Sequence, residues 1–472
     1  MRRKAVSGII LILLLVGILT FNSTIAEMNE TENIEPAGAT GGSVTEAVDW
    51  WPMFRHDLSH TGYSTSTAPN TNHTIWNYTT DYDVTSSPAV VDGKVYVASC
   101  DGRLYCLDAS TGAHIWNNGT GTMVSSPAVV DGKVFVGSST WKSSGVYCLN
   151  ASTGAHIWNS TTGDSVESSP AIVNGKVYVG SMDNKTYCLN ATTGAFIWNY
   201  TTGYSVYSSP AVADGKVYVG SWDGKVYCLN ASTGAHIWNY TTGRIWLESS
   251  PAVADGKVYV GSIDRKVYCL NATTGAYIWN STTGAQVRSS PAVADGKVYV
   301  GSYDHNVYCL DALTGGLIWN YTTGYSVYSS PAVADGKVYV GSHDHKVYCL
   351  NASTGAFIWS YTTGLWVYSS PVVADGKVYV GSCDRKVYCF GPIPGDVNED
   401  LCVDVYDKVL VGAAFGSNRN ATDGKYWHGP PDFPGPCPYC PHYANSDLNN
   451  DGTVDIFDKV IVGVNFGQGI CP

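Results

Sequence analysis

The chain has 472 residues, enough for two or three domains. Its formal charge of −12 argues against a general nucleic-acid binder, which would show a basic patch, and suits a soluble extracellular protein or one that binds cations. Charged residues make up only 14%, while Thr, Ser, Asn, Gly and Tyr abound.

Residues 1–26 read as an export signal. Arg2, Arg3 and Lys4 form the basic start, Gly8 to Phe21 the apolar core, and Thr24-Ile25-Ala26 a small-residue cleavage site. The apolar run is short for a membrane span and no second run exists, so a cleaved signal and a secreted or cell-surface protein are expected. Loss of the signal takes the formal charge to −15. Residues 27–49 read as a disordered acidic linker.

From there the chain repeats. Ser-Ser-Pro recurs with its proline at Pro88, Pro127, Pro170, Pro210, Pro251, Pro291, Pro331 and Pro371, at spacings of 39, 43, 40, 41, 40, 40 and 40 residues. In the unit 208–240, SSPAVA is strand A, Asp214-Gly215 a hairpin turn, KVYVGS strand B and Trp222-Asp223-Gly224 a turn. KVYCLN follows as strand C, then a turn at Ala231 to Gly234, then HIWNYTT as strand D. Four short antiparallel strands per forty residues predict a propeller blade. An orphan strand D, His73 to Thr80, precedes the first unit, and the last unit, Ser369 to Phe390, lacks one. The N-terminal strand is therefore expected to complete the last blade, giving an all-β, eight-bladed propeller over residues 50–390 with only short, protected edges.

Residues Cys106 to Trp116, CLDASTGAHIW, resemble the tryptophan-docking motif of pyrroloquinoline-quinone-type (PQQ-like) propellers. Asp108, Thr111, Gly112 and Trp116 match it, with Cys106 at its small position; the other copies often carry Asn for Asp. The lead-in Trp51 to Ser64 is also similar to the entry of such domains. The resemblance implies the fold far more than a cofactor or a chemistry. Trp76, Trp116, Trp158, Trp198, Trp238, Trp279, Trp319 and Trp359 are assigned a structural role, each burying its ring between blades with its N–H on a backbone carbonyl.

One face of the ring is nearly constant between copies and the other varies. The variable face holds the B–C turns and D-to-A crossings, with Glu167, Tyr207, Trp222, Trp246, Glu248, Arg288, Tyr303, Tyr328, His343, Trp366 and Tyr368 as candidate ligand contacts. Rings of Tyr and Trp stack on sugars or grip peptide side chains; the alternative is drift in loops without structural duty. Quinoprotein dehydrogenases of this fold bind the quinone with Ca²⁺ at the ring centre and commonly use an adjacent Cys-Cys disulfide. This chain has no Cys-Cys pair, and Asp83, Glu167 and Glu248 are the carboxylates available apart from the Asp repeated in the B–C turns. No catalytic residue is assigned, and PQQ is not expected.

Eight of the fourteen cysteines, Cys106, Cys148, Cys188, Cys228, Cys269, Cys309, Cys349 and Cys389, share one place in strand C and read as reduced packing thiols. Cys100 and Cys383 hold equivalent positions in the first and last blades, which suggests a disulfide locking the ring. Asn118, Asn150, Asn190, Asn230, Asn271 and Asn351 lie in Asn-x-Ser/Thr sequons, where an exported chain could carry glycans.

After the linker 391–394 come two matching twelve-residue loops, Asp396 to Asp407 and Asp447 to Asp458. The first offers Asp396, Asn398, Asp400, the Cys402 carbonyl, Asp404 and Asp407 to Ca²⁺; the second offers Asp447, Asn449, Asp451, the Thr453 carbonyl, Asp455 and Asp458. Each runs into a short apolar helix. The pair resembles a type I dockerin over residues 395–468, which implies Ca²⁺-dependent folding and docking to a cohesin-type partner. Val405, Tyr406, Ile456 and Phe457 fall where dockerins contact that partner, or they pack the two helices together. Leu401 departs from the pattern, standing where Gly452 supplies the turn in the second loop. Cys402, Cys437, Cys440 and Cys471 allow three disulfide connectivities, or a zinc site with His428 and His442.

The expected function is non-catalytic: a propeller that binds a glycan or peptide, and a dockerin-like module over 395–472 that binds Ca²⁺ and tethers the protein to a surface assembly. A PQQ- and Ca²⁺-dependent dehydrogenase and a purely structural surface protein are the alternatives.

Overall fold

The computed structural model describes residues 48–119, 121, 125–139 and 144–393, together with the backbone of 418–419 and 427–428. The export signal, nearly all of the acidic linker, both calcium loops and the four C-terminal cysteines lie outside the described residues.

Eight four-stranded antiparallel sheets follow one another along the chain, one per repeat. The fourth has strands Ala211–Ala213, Lys216–Gly220, Lys225–Asn230 and His236–Thr241, from the ring axis outward. The eighth is composite. Thr74–Thr79 pairs with Lys386–Phe390, Trp76 opposite Cys389, so a strand from before the first blade completes the last, as the order of the pieces predicts. Asp214 and Gly215, at φ of 49° and 69°, are both left-handed, as the tightest hairpin turn requires.

Strand B presents no wet face. Val217, Tyr218 and Val219 are all fully buried, because the neighbouring blades cover both sides of the sheet. Only strand D alternates, and it carries an irregularity of register. Cys228 pairs with Trp238 but Leu229 pairs with His236, which leaves Ile237 as the extra residue of a bulge and turns it outward.

The tryptophans join the blades. Trp76, Trp116, Trp158, Trp198, Trp238, Trp279 and Trp319 each donate Nε1–H to an alanine carbonyl in the docking turn of the next blade, at 3.0–3.2 Å. Trp359 donates to Pro69 instead, since the eighth blade has no such turn of its own. Each of the first seven rings lies on a glycine: a Cβ at Gly234 would stand 2.6 Å from Trp198, and one at Gly112 would stand 2.6 Å from Trp76. The strand C cysteines are fully buried free thiols, and burial pushes Cys106 and Cys228 up to about 12.

The lead-in segment, residues 49–68, crosses one end of the ring axis and stops it. Innermost strands of a propeller have unpaired backbone N–H groups facing the axis, and this segment supplies acceptors for them. The N–H groups of Val129, Val212, Val253, Val293 and Val333 donate to the carbonyls of Pro52, Leu58, Ser59, Thr61 and Gly62. Arg55 is buried and donates to the carbonyls of Pro291 and Pro331. Burial also pushes the His60 imidazole down to about 4, so its neutral ring can donate Nδ1–H to the Pro251 carbonyl at 3.2 Å. Tyr63–Ser64 then adds a short parallel strand to the seventh blade.

Cys100 and Cys383 are both free thiols, so the expected disulfide is not formed. The Cys100 thiol instead faces its own blade, with Sγ 3.6 Å from Thr85 Oγ1, while burial pushes Cys383 up to about 12.

Candidate functional site: a funnel on the ring axis

Because the lead-in closes one end, the axial space is a funnel with a single mouth on the variable face. Its volume is about 470 Å³. Three levels line it. Phe54 of the lead-in belongs to the floor, and the second serine of each Ser-Ser-Pro forms the waist. The mouth carries Thr85, Glu167, Tyr207, Glu248, Arg288, Tyr328 and Tyr368, each from the residue just before Ser-Ser-Pro, joined by Tyr303 from a B–C turn.

The waist is a closed cycle of hydrogen bonds. The N–H groups of Ser87, Ser126, Ser169 and Ser209 donate to the Oγ atoms of Ser126, Ser169, Ser209 and Ser250, at 2.9–3.1 Å. Those of Ser250, Ser290, Ser330 and Ser370 donate to Ser290, Ser330, Ser370 and, closing the ring, Ser87, also at 2.9–3.1 Å. Each hydroxyl thus accepts one bond from its neighbour and retains its own proton and a second lone pair for what stands in the lumen. The first serines accept within their blades, as Ser208 Oγ accepts the Gly220 N–H at 3.0 Å, and Ser249 Oγ also donates to the Ser289 carbonyl of the next blade at 3.0 Å.

At the mouth, charge is unevenly paired. Glu248 Oε2 accepts from Arg288 Nη1 at 3.1 Å and from the Tyr328 hydroxyl at 3.3 Å. Arg288 also donates Nε–H to Gln286 at 3.2 Å and lies 5.2 Å from the centre of the Tyr303 ring. Burial, reinforced by Glu248, holds the Tyr328 phenol well above its ordinary range. Glu167 has neither an ion pair nor a hydrogen bond among the described residues; burial, with Glu248 and Asp164 adding repulsion, raises its carboxyl above the usual range. Burial, then Glu167, pushes the Tyr207 phenol up to about 12.

Outside the mouth, the other four candidates sit on the rim in two aromatic groups. Trp222 stacks on Tyr207 at 4.1 Å between ring centres, has Tyr204 at 6.2 Å, and meets Trp246 edge-on at 6.3 Å. His343 lies 4.4 Å from Tyr368 and 5.9 Å from Trp366. Trp246 and Trp366 are 48% and 49% exposed, which is high for tryptophan. The repeated B–C turn aspartates have structural partners: Asp223 accepts from the Tyr227 hydroxyl and the Gly203 N–H. The sequon residues Asn150, Asn190, Asn230, Asn271 and Asn351 accept backbone N–H bonds with Oδ1 inside the docking turns, and Asn118 donates to the Gly154 carbonyl.

A quinone held with Ca²⁺ needs several oxygen ligands brought together. Glu248 is engaged by Arg288 and Tyr328, and Glu167 belongs to a crossing two blades away. No three His, Cys, Asp or Glu residues gather as a metal site among the described residues. Among the described residues, the funnel's carboxylates are not gathered in that way. Phe54 and the serine waist were absent from the sequence-based candidates, although the waist was visible as the second serine of every copy.

The family model described as "Outer membrane protein assembly factor BamB" matches residues 62–140 and 142–244, and the one described as "Beta-alanine-activating enzyme, beta-propeller" matches residues 217–401. A search of curated proteins finds no match. Among solved structures, BamB from Moraxella catarrhalis is 22% identical with a TM-score of 0.59, covering 68% of this chain and 97% of its own. A europium-containing methanol dehydrogenase is 15% identical with a TM-score of 0.62, covering 73% of this chain and 98% of its own. The quinohemoprotein alcohol dehydrogenase from Comamonas testosteroni is 17% identical with a TM-score of 0.63, covering 72% of this chain and 80% of its own. The chain shares the eight-bladed, PQQ-like propeller fold of BamB and of these dehydrogenases.

Proposed function

We propose that the propeller is a non-catalytic recognition module that takes a glycan or a peptide on its funnel face. The observation that supports this reading is the mouth itself: exposed Trp246 and Trp366 beside closely packed aromatic rings, around a one-ended funnel whose described residues carry paired and unpaired charge. Aromatic anchors beside a partly desolvated polar pocket are where binding energy concentrates. The fold is shared with dehydrogenases and with BamB, so it does not choose between enzyme and binder. The donor set of the funnel favours the binder. Glycan and peptide arrays probed with the wild type, Trp246→Ala and Trp366→Ala test it. Selective binding that drops about tenfold or more in either variant, with the melting temperature kept, supports recognition. Binding unchanged in both variants overturns it.

The second part of the proposal concerns the two C-terminal loops. Their paired oxygen ligands suit Ca²⁺, and a dockerin-like module would hold the propeller at a cell-surface assembly through a cohesin-type partner. Calorimetric Ca²⁺ titration of the full chain is expected to show binding that Asp447→Ala diminishes. An identical isotherm for the variant removes the tether from the proposal.

A further inference from the structure

We infer that the funnel is a receptor for a primary alkylammonium group, seated between the Glu167 carboxylate and the open face of Tyr207. The inference rests on the recognition reading above and names the chemistry of what is recognised.

Three observations converge on it. First, among the described residues the charges at the mouth do not balance. Arg288 is consumed by Glu248, and Glu167 is left facing the cavity without an ionic or hydrogen-bonded partner among the described residues. A half-buried carboxylate of this kind is costly unless paired. Second, Tyr207 lines the cavity within electrostatic reach of Glu167 and has one face covered by Trp222. Its other face can take a cation, and an aromatic face next to a carboxylate is a cation site. Third, just below them runs the serine ring, whose hydroxyls keep a lone pair for the lumen. An ammonium has three N–H donors. Glu167 can accept one and serine oxygens the others, while the aliphatic stem passes out along the aromatic rim. The repulsion that Glu167 feels from Glu248 and Asp164 is what a bound cation would relieve.

The same ammonium could come from a lysine of a protein partner or from a free amine. Saturation-transfer NMR on the full-length protein separates the two. The probes are Nα-acetyl-lysine methylamide, 1,5-diaminopentane and the neutral Nα-acetyl-norleucine methylamide. Transfer to the lysine probe and not to the norleucine probe is expected, weakened at least about tenfold by Glu167→Gln. Tyr207→Phe, which keeps the ring, is expected to retain binding and Tyr207→Leu to lose it, each folding judged by its melting temperature. A lysine probe stronger than the diamine assigns the site to a protein side chain; the reverse order assigns it to a free amine. Equal binding of the lysine and norleucine probes, or a Glu167→Gln variant that binds as the wild type does, overturns the inference. Array binding lost in Trp246→Ala would still stand in that case, so failure here is distinguishable from failure of the recognition reading.

Discussion

Gly215 and Gly234 adopt nearly the same backbone conformation, φ of 69° and 73°, for different reasons. A Cβ at Gly215 would meet nothing within 4 Å, so only the hairpin geometry asks for glycine there. At Gly234 the Cβ would press into the Trp198 ring at 2.6 Å, so the same residue serves both the turn and the contact between blades. Gly215→Ala is therefore expected to cost about 1 kcal/mol, the strain of the left-handed region alone. Gly234→Ala adds overpacking against a ring that cannot withdraw and should cost about 3 kcal/mol. Urea denaturation of the two variants measures both. Equal losses would mean that tryptophan docking places no demand of its own on the glycine.

At the scale of elements, legibility followed punctuation. Asp-Gly and Asn-x-x-Thr-Gly fix where each strand begins and ends, so Lys216–Gly220 and Lys225–Asn230 were readable from the repeat. The closing strand Thr74–Thr79 was readable because its tryptophan matched seven others. The bulge at Ile237 was not, since it arises from how Trp238 must turn to reach the next blade and leaves no mark in the hydrophobic pattern. Nor was the stopper at the axis. Residues 49–68 have no periodicity, and much of their order comes from carbonyls offered to valine N–H groups some 75–270 residues away in the chain. Phe54 therefore went unnoticed. The mouth was legible from variation: Glu167, Tyr207, Glu248 and Arg288 stand out because the copies differ there. The serine ring was hidden by the same method, because a comparison of copies cannot single out a residue that all eight share. Cys100 and Cys383 show the converse error, in which a shared exception was read as a bond although the Cys100 thiol faces Thr85.

For the whole molecule the decisive feature is that a ring of like blades has one unlike joint. Seven blades are continuous in sequence; the eighth is held by five register pairs between Thr74–Thr79 and Lys386–Phe390. Trp76 and Trp238 are equally buried, 7% exposed each, and each is hydrogen-bonded to the next blade at 3.0–3.1 Å. Truncating either to alanine should cost a similar amount, about 3–5 kcal/mol. The consequences should differ in extent. Trp238 lies within a continuous blade, so its loss weakens one joint while the ring stays closed. Trp76 lies in the clasp, so its loss lets the closing strand leave and exposes the edge of Lys386–Phe390, a sub-global opening below the global barrier. Hydrogen exchange on Trp76→Ala is expected to show early loss of protection confined to residues 74–79 and 372–390, and its urea transition to broaden. Trp238→Ala should shift the midpoint while keeping the slope. Indistinguishable exchange patterns for the two variants would mean that the docking of all eight tryptophans, rather than the clasp, keeps the ring shut.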